Sequence, residues 1–264
     1  MVKFIKFLIA LYLIACIALY SLQDRFIFNP EFIEDHYRYR IGEEIEIPLD
    51  DKISMNALLV RQTDHSKAKG AILYLHGNRG SIRFGIYQTR TMQDLGYDIL
   101  VPDYRSYGKT EGSIQSEKQL LQDVQKAYDY LLQSYDEQDI ILVGYSLGTG
   151  MASYLASKNN PAKLFLVAPF TSLTDIKNKY LWFFPDFLLK FKLPVKKFMK
   201  DVRCPVTIVH GTHDRVVDYE FSEELKSSFG KKIDLVTVHR EGHRGVIFAE
   251  KLAEALYNKL VTSF

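Results

Sequence analysis

The sequence predicts an α/β fold in which helices cover both faces of a mostly parallel, eight-stranded sheet. Six apolar runs between residues 71 and 239 have the length of strands that are buried on both faces. Segments with helical spacing lie between them, and buried strands that alternate with amphipathic helices form parallel sheets. The six runs are residues 71–76, 98–104, 139–145, 163–170, 205–211 and 233–239.

The other two strands come first in the chain. Residues 43–49 and 53–60 alternate apolar and polar side chains around an Asp-Asp turn, which is typical of an antiparallel hairpin at the edge of a sheet. Two helical segments carry clear apolar stripes, and the first follows a capping-box pattern at Ser116 and Gln119. The stripes are Leu120, Leu121, Val124, Tyr128, Leu131 and Leu132, then Phe248, Leu252 and Leu256.

The composition indicates one large globular domain, which we assign to residues 40–264. The chain has 264 residues, of which 47% are hydrophobic and 25% are charged, so disordered and fibrous classes are excluded. A net charge of +2 is too small for a nucleic-acid-binding surface, and no nucleic-acid partner is expected. The two cysteines, Cys16 and Cys204, give no disulfide framework.

Residues 7–22 form an uncharged apolar segment, with Lys3 and Lys6 before it and Asp24 and Arg25 after it. As a helix this segment is about 24 Å long at 1.5 Å per residue, near the lower limit for a hydrocarbon core of about 30 Å. Three interpretations stay open: a single-span anchor, a cleaved secretory signal and a lipoprotein signal.

We favour the single-span anchor, residues 1–24. No A-x-A cleavage site follows the apolar core. The stretch Leu13–Cys16 resembles a lipobox, yet the residues directly after Cys16 stay apolar, where a lipoprotein usually has a polar tether. Lys3 and Lys6 favour a cytoplasmic N-terminus, so the globular domain is expected on the non-cytoplasmic side of the membrane. A secreted protein or a lipoprotein is the alternative.

Ser146 lies where the apolar run 139–145 meets a segment with helical spacing. A serine at such a junction, flanked by Gly144 and Gly148, has the pattern of a nucleophile elbow, because the sharp turn leaves no room for side chains two residues away. A serine hydroxyl is a weak nucleophile unless a base takes its proton and an acid orients that base. Two partners are therefore required, each after a later strand.

Asp214 and His243 are the candidate acid and base. Asp214 follows the run 205–211, and His243 lies between the last apolar run and the final helix. Asp214 is preferred to Asp218, which is expected to begin the next helix, where an acid is favourable. His213, beside Asp214, is the competitor for the base.

No metal and no cofactor is expected. His210, His213 and Asp214 are close in sequence, but two residues separate the histidines on a loop and no further ligand set is evident. The other histidines are expected to be structural or exposed. Those at strand ends, expected to be structural, are His76, His210 and His239, and those expected to be exposed are His36 and His65.

The chain order of serine, aspartate and histidine is that of α/β-hydrolases and differs from that of other serine-hydrolase folds. Two further stretches, YLHGNRGS at residues 74–81 and DYRSYGKTEG at residues 103–112, look like motifs of that family. From about Gly70 to the C-terminus, the sequence resembles α/β-hydrolases of the serine aminopeptidase-like group, particularly membrane-anchored lipid hydrolases and protein depalmitoylases.

The resemblance implies an α/β-hydrolase fold and an oxyanion hole made by the backbone N–H groups of Asn78 and Leu147. The sequence departs from the family pattern at Ser106 and Glu241, where members often have glycine. We expect Ser106 to be tolerated if its backbone avoids positive φ. Both departures leave the candidate triad intact.

Residues His76 and Asp103 belong to the two family-like stretches. We expect them to brace the loops after their strands rather than to take part in chemistry.

Residues 171–201 form a long insertion that is expected to be a small helical cap over the active site. The insertion carries seven lysines against three aspartates, and it holds the only tryptophan. Aromatic and basic side chains together suit a membrane surface, whereas a plain cap would pack its apolar face over the sheet. Both interpretations stay open, and both favour a substrate with an acyl chain or a bulky hydrophobic group. The aromatic core is Trp182, Phe183, Phe184, Phe187 and Leu188.

The sequence thus predicts a serine hydrolase that cleaves a carboxylic ester or thioester, of acyl or lipid-like character, through an acyl-enzyme on Ser146. One alternative is an aminopeptidase or amidase with the same triad, for which Asp186 is the acid near the cap that could bind an amino terminus. A catalytically inactive binding protein of the same fold is another. The expected partners are an acyl substrate and the membrane, through residues 7–22 and, as an open question, the cap; no obligate protein partner is expected.

Overall fold

The computed structural model describes residues 1–62 and 68–261, and eight strands within them form one sheet. The strands are β1 Glu43–Pro48, β2 Ser54–Val60, β3 Ala71–Leu75, β4 Asp98–Pro102, β5 Ile140–Tyr145, β6 Lys163–Val167, β7 Val206–Gly211 and β8 Ile233–Val238. Their order across the sheet is β8-β7-β6-β5-β3-β4-β2-β1. The pairs β1–β2 and β2–β4 are antiparallel and the other pairs are parallel. The predicted sheet is confirmed.

Helices cover both faces of this sheet, as predicted. The described α-helices are α1 Val2–Ile27, α2 Ile82–Gln88, α3 Glu117–Leu131, α4 Gly148–Lys158, α5 Leu173–Leu181, α6 Val195–Phe198, α7 Glu220–Phe229 and α8 Glu250–Leu260. Successive side chains of a strand point to opposite faces, so Leu73 and Leu75 of β3 pack with α3, α4 and α7, while Ile72 and Tyr74 pack with α2 and α8.

The predicted helix signals are met with small differences. Ser116 caps α3 by accepting a hydrogen bond from the Gln119 amide, while the Gln119 side chain accepts from the Gln115 amide. Two residues of the predicted stripes, Leu132 and Phe248, are 40% exposed. Both lie just outside a helix, because α3 ends at Leu131 and α8 begins at Glu250, so they leave the buried face.

Helix α1 is long and apolar, and it touches the domain through its C-terminal part. By length and composition it is a candidate membrane span. Gln23 is the buried residue of α1, and its side chain donates to the Leu188 carbonyl (2.9 Å) and accepts from the Lys190 amide (2.7 Å). The helix thus continues to Ile27, beyond the predicted boundary at residue 24, and enters the domain directly.

The segment after α1 joins the loops at the carboxyl end of the sheet. Residues 29–30 pair in parallel with residues 79–80, and Phe32 forms a bridge with Gly108. The C-terminal turn of α1 is therefore fixed next to the loop after β3, where part of the candidate site lies.

The backbone at Ser106 does not avoid positive φ. Its φ is +67°, in the left-handed region, so the condition under which serine is expected to be tolerated here is not met. The turn is kept because the Ser106 amide donates to the Thr110 carbonyl (3.1 Å). A left-handed conformation costs a residue with a Cβ about 1–2 kcal/mol, which explains why glycine suits this position.

Ser106→Gly is expected to raise the free energy of unfolding by about 1 kcal/mol, because the relieved strain exceeds the cost of glycine's freedom in the unfolded chain. Ser134→Gly is the matched control: Ser134 is exposed and is not among the left-handed residues, so the same change should lower stability by about 0.5–1 kcal/mol. Thermal or denaturant unfolding measures both. Equal losses in the two variants would contradict strain at Ser106.

Candidate active site

Ser146 sits on a sharp turn between β5 and α4. Its φ is +51°, and its amide donates to the Val167 carbonyl of β6 (2.9 Å). This conformation is strained for a residue with a Cβ and is held by the surrounding sheet. The turn lifts the Ser146 side chain out at the carboxyl end of the strands, as in a nucleophile elbow.

The glycines on either side of Ser146 are required by close contacts. A Cβ at Gly144 would lie 2.5 Å from the Gly148 carbonyl oxygen, and a Cβ at Gly148 would lie 1.9 Å from the Leu75 carbonyl oxygen. Both distances are below any normal contact. A side chain at either position would push α4 away from β3 and β5 and open the turn that carries Ser146.

Ser146, His243 and Asp214 form one hydrogen-bonded chain. His243 Nε2 lies 2.9 Å from Ser146 Oγ, and His243 Nδ1 lies 2.7 Å from Asp214 Oδ2. Because a carboxylate only accepts, Nδ1 carries the proton and Nε2 is left to accept from the serine hydroxyl. The structure thus brings together the three residues that the sequence singled out, in the geometry of a nucleophile, a base and an orienting acid.

Asp214 is held as a carboxylate by its surroundings. Its Oδ1 accepts from the amides of Val216 (2.8 Å) and Val217 (2.9 Å). Burial by itself raises the pKa of Asp214, but hydrogen bonds from His210 and His243 outweigh it and hold the pKa well below its usual range. Asp214 is therefore ionised at neutral pH and can accept the hydrogen bond from His243.

The competitors for the acid and the base lie elsewhere. Asp218 pairs with Lys179 of the insertion, and α7 begins two residues after it at Glu220. His213 is exposed, although its backbone amide donates to the Glu241 carbonyl (2.9 Å). His239, expected to be structural, is exposed as well, and His65 lies outside the described residues.

Tyr145 fixes the backbone of His243. Its hydroxyl donates to the His243 carbonyl oxygen at 2.9 Å, and the two rings lie 5.3 Å apart. Burial raises the pKa of Tyr145, so it remains a neutral donor. The residue directly before the serine therefore helps to place the base, a contact that the sequence pattern did not predict.

His210 contacts the same carboxylate oxygen of the candidate acid as His243 does. Its Nε2 faces two acceptors, Asp214 Oδ2 (3.1 Å) and the Val217 carbonyl (3.0 Å), so Nε2 carries the proton. Its Nδ1 then accepts from the Ser222 hydroxyl at 2.6 Å. The sequence placed His210 at a strand end as a structural residue, and the four-residue spacing to Asp214 was the signal for this contact.

His210→Asn is expected to lower kcat about tenfold, a loss of about 1.4 kcal/mol, because the Asn amide reaches Ser222 but not Asp214. With one donor fewer, the carboxylate attracts protonated His243 more strongly, so the acidic limb of the pH–rate profile moves to higher pH. His210→Gln, whose amide nitrogen can replace Nε2, should restore both. If His210→Asn had a lower melting temperature but an unchanged acidic limb of the pH–rate profile, His210 would have a purely structural role.

The loop after β3 carries Asn78, one of the two expected oxyanion donors. The Asn78 carbonyl accepts from the Tyr107 hydroxyl (2.7 Å) and from the Asn29 amide (2.9 Å). Leu147, the other expected donor, is the N-cap of α4, where the first amides of a helix have no partner within the helix. Leu147 directly follows Ser146, and Asn78 lines the same cavity as Ser146. Their role in binding an oxyanion stays a prediction.

His76 and Asp103 brace this loop, consistent with the expectation. Asp103 Oδ1 accepts from the Ile82 amide (2.7 Å) and lies 3.5 Å from His76 Nε2, and both side chains are buried. Burial raises the pKa of Asp103. The Tyr104 hydroxyl donates to the His76 carbonyl at 2.8 Å, which ties the loops after β3 and β4 together.

Ser146 and His243 open into a cavity of about 840 Å³. Among the described lining residues none comes from the insertion, which was expected to cover the site; the C-terminal turn of α1 supplies Arg25 and Phe26 instead. The insertion packs against α1, through the contacts of Gln23 with Leu188 and Lys190. The lining residues are Arg25, Phe26, Asn29, Pro30, Glu31, Gly77, Asn78, Arg79, Gly80, Arg83, Phe84, Tyr145, Ser146, Val216, His243 and Arg244.

The charge of this cavity is strongly positive. Its lining has four arginines, and Glu31 is the one carboxylate among the described lining residues. Glu31 is engaged by Arg83 and by the Ser81 hydroxyl (2.8 Å). In the part of the chain that the structure describes, no group of three or more His, Cys, Asp and Glu side chains is placed to hold a metal ion.

Comparison with known proteins agrees with the fold. Residues 70–202, half of the chain, match the family of the α/β-hydrolase fold. The chain belongs to the α/β-hydrolase family. The fold class predicted from the sequence is thereby confirmed.

The chain is similar in sequence to several curated proteins. It is 30% identical over 194 residues to the lysophosphatidylserine lipase ABHD12 of Danio rerio. The aligned region covers 62% of this chain and 50% of the relative. It is 28% identical over 187 residues to the putative α/β hydrolase L404 of Acanthamoeba polyphaga mimivirus, with 67% of each chain covered. The chain spans about half the length of the curated lipases it matches.

Solved structures with the same fold include esterases. Est1E from Butyrivibrio proteoclasticus with bound ferulic acid has a TM-score of 0.69 at 20% identity, covering 83% of this chain and 100% of that one. The esterase Pf2001 of Pyrococcus furiosus has a TM-score of 0.68 at 17% identity, covering 88% of this chain and 98% of that one. At these identities the similarity concerns the fold alone.

Proposed function

We propose that this α/β-hydrolase is a membrane-bound serine hydrolase that cleaves carboxylic esters or thioesters of acyl lipids through an acyl-enzyme on Ser146. The observation that carries the proposal is the hydrogen-bonded chain from Ser146 Oγ through His243 to Asp214, at 2.9 and 2.7 Å. Ser146 and His243 line a cavity that is large enough for a lipid headgroup and its ester.

The proposed reaction has two halves. His243 Nε2 takes the proton of Ser146 as Oγ attacks the carbonyl carbon, and the oxygen that becomes negative is met by the amides of Asn78 and Leu147. His243 then gives this proton to the leaving oxygen or sulfur, and the acyl group stays on Ser146. His243 then takes a proton from a water molecule, whose oxygen attacks the acyl carbon. The bond to Ser146 Oγ breaks, His243 returns the proton to Oγ, and the acid is released, while Asp214 keeps the ring oriented throughout.

The arginines of the cavity support a substrate with an anionic headgroup. Arg25, Arg79 and Arg244 line the space in front of Ser146, and guanidinium groups bind phosphate and carboxylate in a bidentate manner. The relatives named lysophosphatidylserine lipases agree with this chemistry. We therefore propose single-chain anionic phospholipids as the substrate class.

An aminopeptidase is less well supported. The acid that would bind a substrate's amino terminus, Asp186, is already paired with the Lys177 ammonium at 2.6 Å, and this contact lowers the pKa of Asp186. Lys177 also donates to the Phe184 carbonyl (2.6 Å). The Asp186 carboxylate is thus bonded within the insertion, and it does not line the cavity of Ser146.

The contacts of α1 support a retained anchor. Lys190 bonds Gln23 through its amide and lies 3.2 Å from Asp24 through its ammonium, so the helix end is part of the folded domain. Cleavage beyond Asp24 would remove the contacts of Gln23 and Asp24 with the domain. With Lys3 and Lys6 kept in the cytoplasm, the domain lies on the non-cytoplasmic side. Intact mass of the membrane-extracted protein tests this, since a lipoprotein would begin at a lipidated Cys16.

Hydrolysis by the full-length protein in detergent tests the function. We expect release of fatty acid from lysophosphatidylserine faster than from lysophosphatidylcholine, with a difference that shrinks as salt screens the exposed arginines. Preferred cleavage of an aminoacyl amide would favour the aminopeptidase. No turnover of any acyl ester, thioester or amide would favour a binding protein.

A further inference from the structure

A second cavity, of about 580 Å³, lies between α1 and helix α5 of the insertion. The side chains of α1 that face it recur at three- and four-residue spacing, so they form one face of the helix. The cavity is lined by Ala15, Ala18, Leu19, Leu22, Gln23, Phe26, Ile27, Leu173, Ile176, Lys177, Tyr180, Leu181 and Leu189. We call it the α1–α5 groove.

The α1–α5 groove offers an apolar surface, because its two most polar side chains are already bonded elsewhere. Gln23 bonds the backbone of Leu188 and Lys190. The Lys177 ammonium bonds the Phe184 carbonyl and Asp186, each at 2.6 Å. A ligand in the groove would therefore meet aliphatic and aromatic surface, which suits a hydrocarbon chain and no polar group.

Phe26 joins the groove to the candidate active site. Its side chain lines both the α1–α5 groove and the cavity of Ser146, and it is 76% exposed, so it is not locked in a core. From Phe26 to Ala15 the groove follows α1 for about 16 Å at 1.5 Å per residue. The two cavities thus provide a polar, basic site at one end and a long apolar site at the other.

The insertion lies against the apolar segment of α1 and exposes aromatic side chains beside it. The Tyr12 hydroxyl donates to the Phe183 carbonyl (2.9 Å) and the Tyr12 ring stacks on Phe184 at 5.8 Å, so the insertion reaches the middle of the apolar segment of α1. Trp182 and Phe187, beside this contact, are each 75% exposed. Side chains of this kind are stable at the boundary of the acyl chains rather than in water.

We infer that the α1–α5 groove binds the acyl chain of the substrate, and that the lipid enters sideways from the bilayer along α1. This rests on the proposed function and assigns α1 a second role, as one wall of the substrate site. The headgroup would lie among the arginines and the ester at Ser146, and the chain would pass Phe26 and extend along α1 towards Ala15.

Ala18→Trp tests the inference, because the indole would fill the groove from the α1 side. We expect kcat/KM for a palmitoyl ester to fall by about tenfold or more, the loss that follows from displacing two methylenes of the chain. The same ester with an acetyl group does not reach the groove, so its hydrolysis should be unchanged. Ile176→Trp fills the groove from α5 and should show the same loss, specific to the long chain.

Ala10→Trp is the matched control, since Ala10 is exposed on the opposite face of α1 and lies outside the groove. It should hydrolyse both esters like the unmodified protein. Equal losses on both esters, or no loss with either groove variant, would overturn the inference. If the unmodified protein cleaves neither ester, the proposed function itself fails, which is a different result from loss of chain-length preference.

Discussion

Ser146→Ala is expected to lower kcat for an acyl ester by about 10⁵–10⁶, because losing the nucleophile of such a triad leaves only substrate binding and the oxyanion donors. Alanine has a Cβ, as serine does, so the two residues are equally strained in the left-handed turn at φ +51°. The fold should therefore be kept. Steady-state hydrolysis of a short and a long acyl ester by the purified variant measures the loss.

Ser153→Ala is the matched control for this variant. Ser153 is fully buried in α4, two turns after the elbow, and its hydroxyl has no hydrogen-bond partner. Its removal should leave kcat within about threefold, since no partner is left unsatisfied. If Ser146→Ala kept the activity of Ser153→Ala, another residue would have to be the nucleophile.

Asp214→Asn is expected to lower kcat by about 10⁴, the loss seen when an amide replaces the acid of a serine triad. Asp214 Oδ2 accepts from His243 Nδ1, and Asp214 Oδ1 accepts from the amides of Val216 and Val217. An amide has a single acceptor oxygen, so its NH₂ must face one of these groups. With the NH₂ towards His243, the ring takes the tautomer whose Nε2 carries a proton and cannot accept from Ser146.

Asp218→Asn is the control for the acid. Asp218 pairs with Lys179 of the insertion, and losing an ion pair at the surface has little effect on stability. Its kcat should stay close to that of the unmodified protein. A larger loss in Asp218→Asn than in Asp214→Asn, in a pH-controlled assay, would reverse the assignment of the acid.

The central strands β3 to β7 could be predicted because they are buried on both faces and therefore appear in the sequence as short continuous apolar runs. The edge strand β1 is partly exposed and was predicted from its alternation instead. The ends of the apolar runs do not all coincide with the ends of the strands. The run 163–170 ends as a strand at Val167, because Ala168 has φ +52° and turns the backbone away. Apolar composition reports burial, and it does not report the local turn that ends a strand.

The candidate triad could be predicted from chain order because each residue follows a strand whose carboxyl end meets the others at one edge of the sheet. The position of α1 could not be predicted. Its docking depends on contacts such as that of Gln23 with Lys190, which are 167 residues apart in the chain. Periodicity identifies an apolar helix face but not its partner, so the insertion was expected over the active site, where the turn of α1 lies instead.

Covalent labelling with an active-site-directed fluorophosphonate tests the role of Ser146 most directly. After reaction of the full-length protein in detergent, peptide mapping by mass spectrometry should place one phosphonyl adduct on Ser146, and Ser146→Ala should take up none. An adduct on another serine, or undiminished labelling of Ser146→Ala, would contradict Ser146 as the nucleophile.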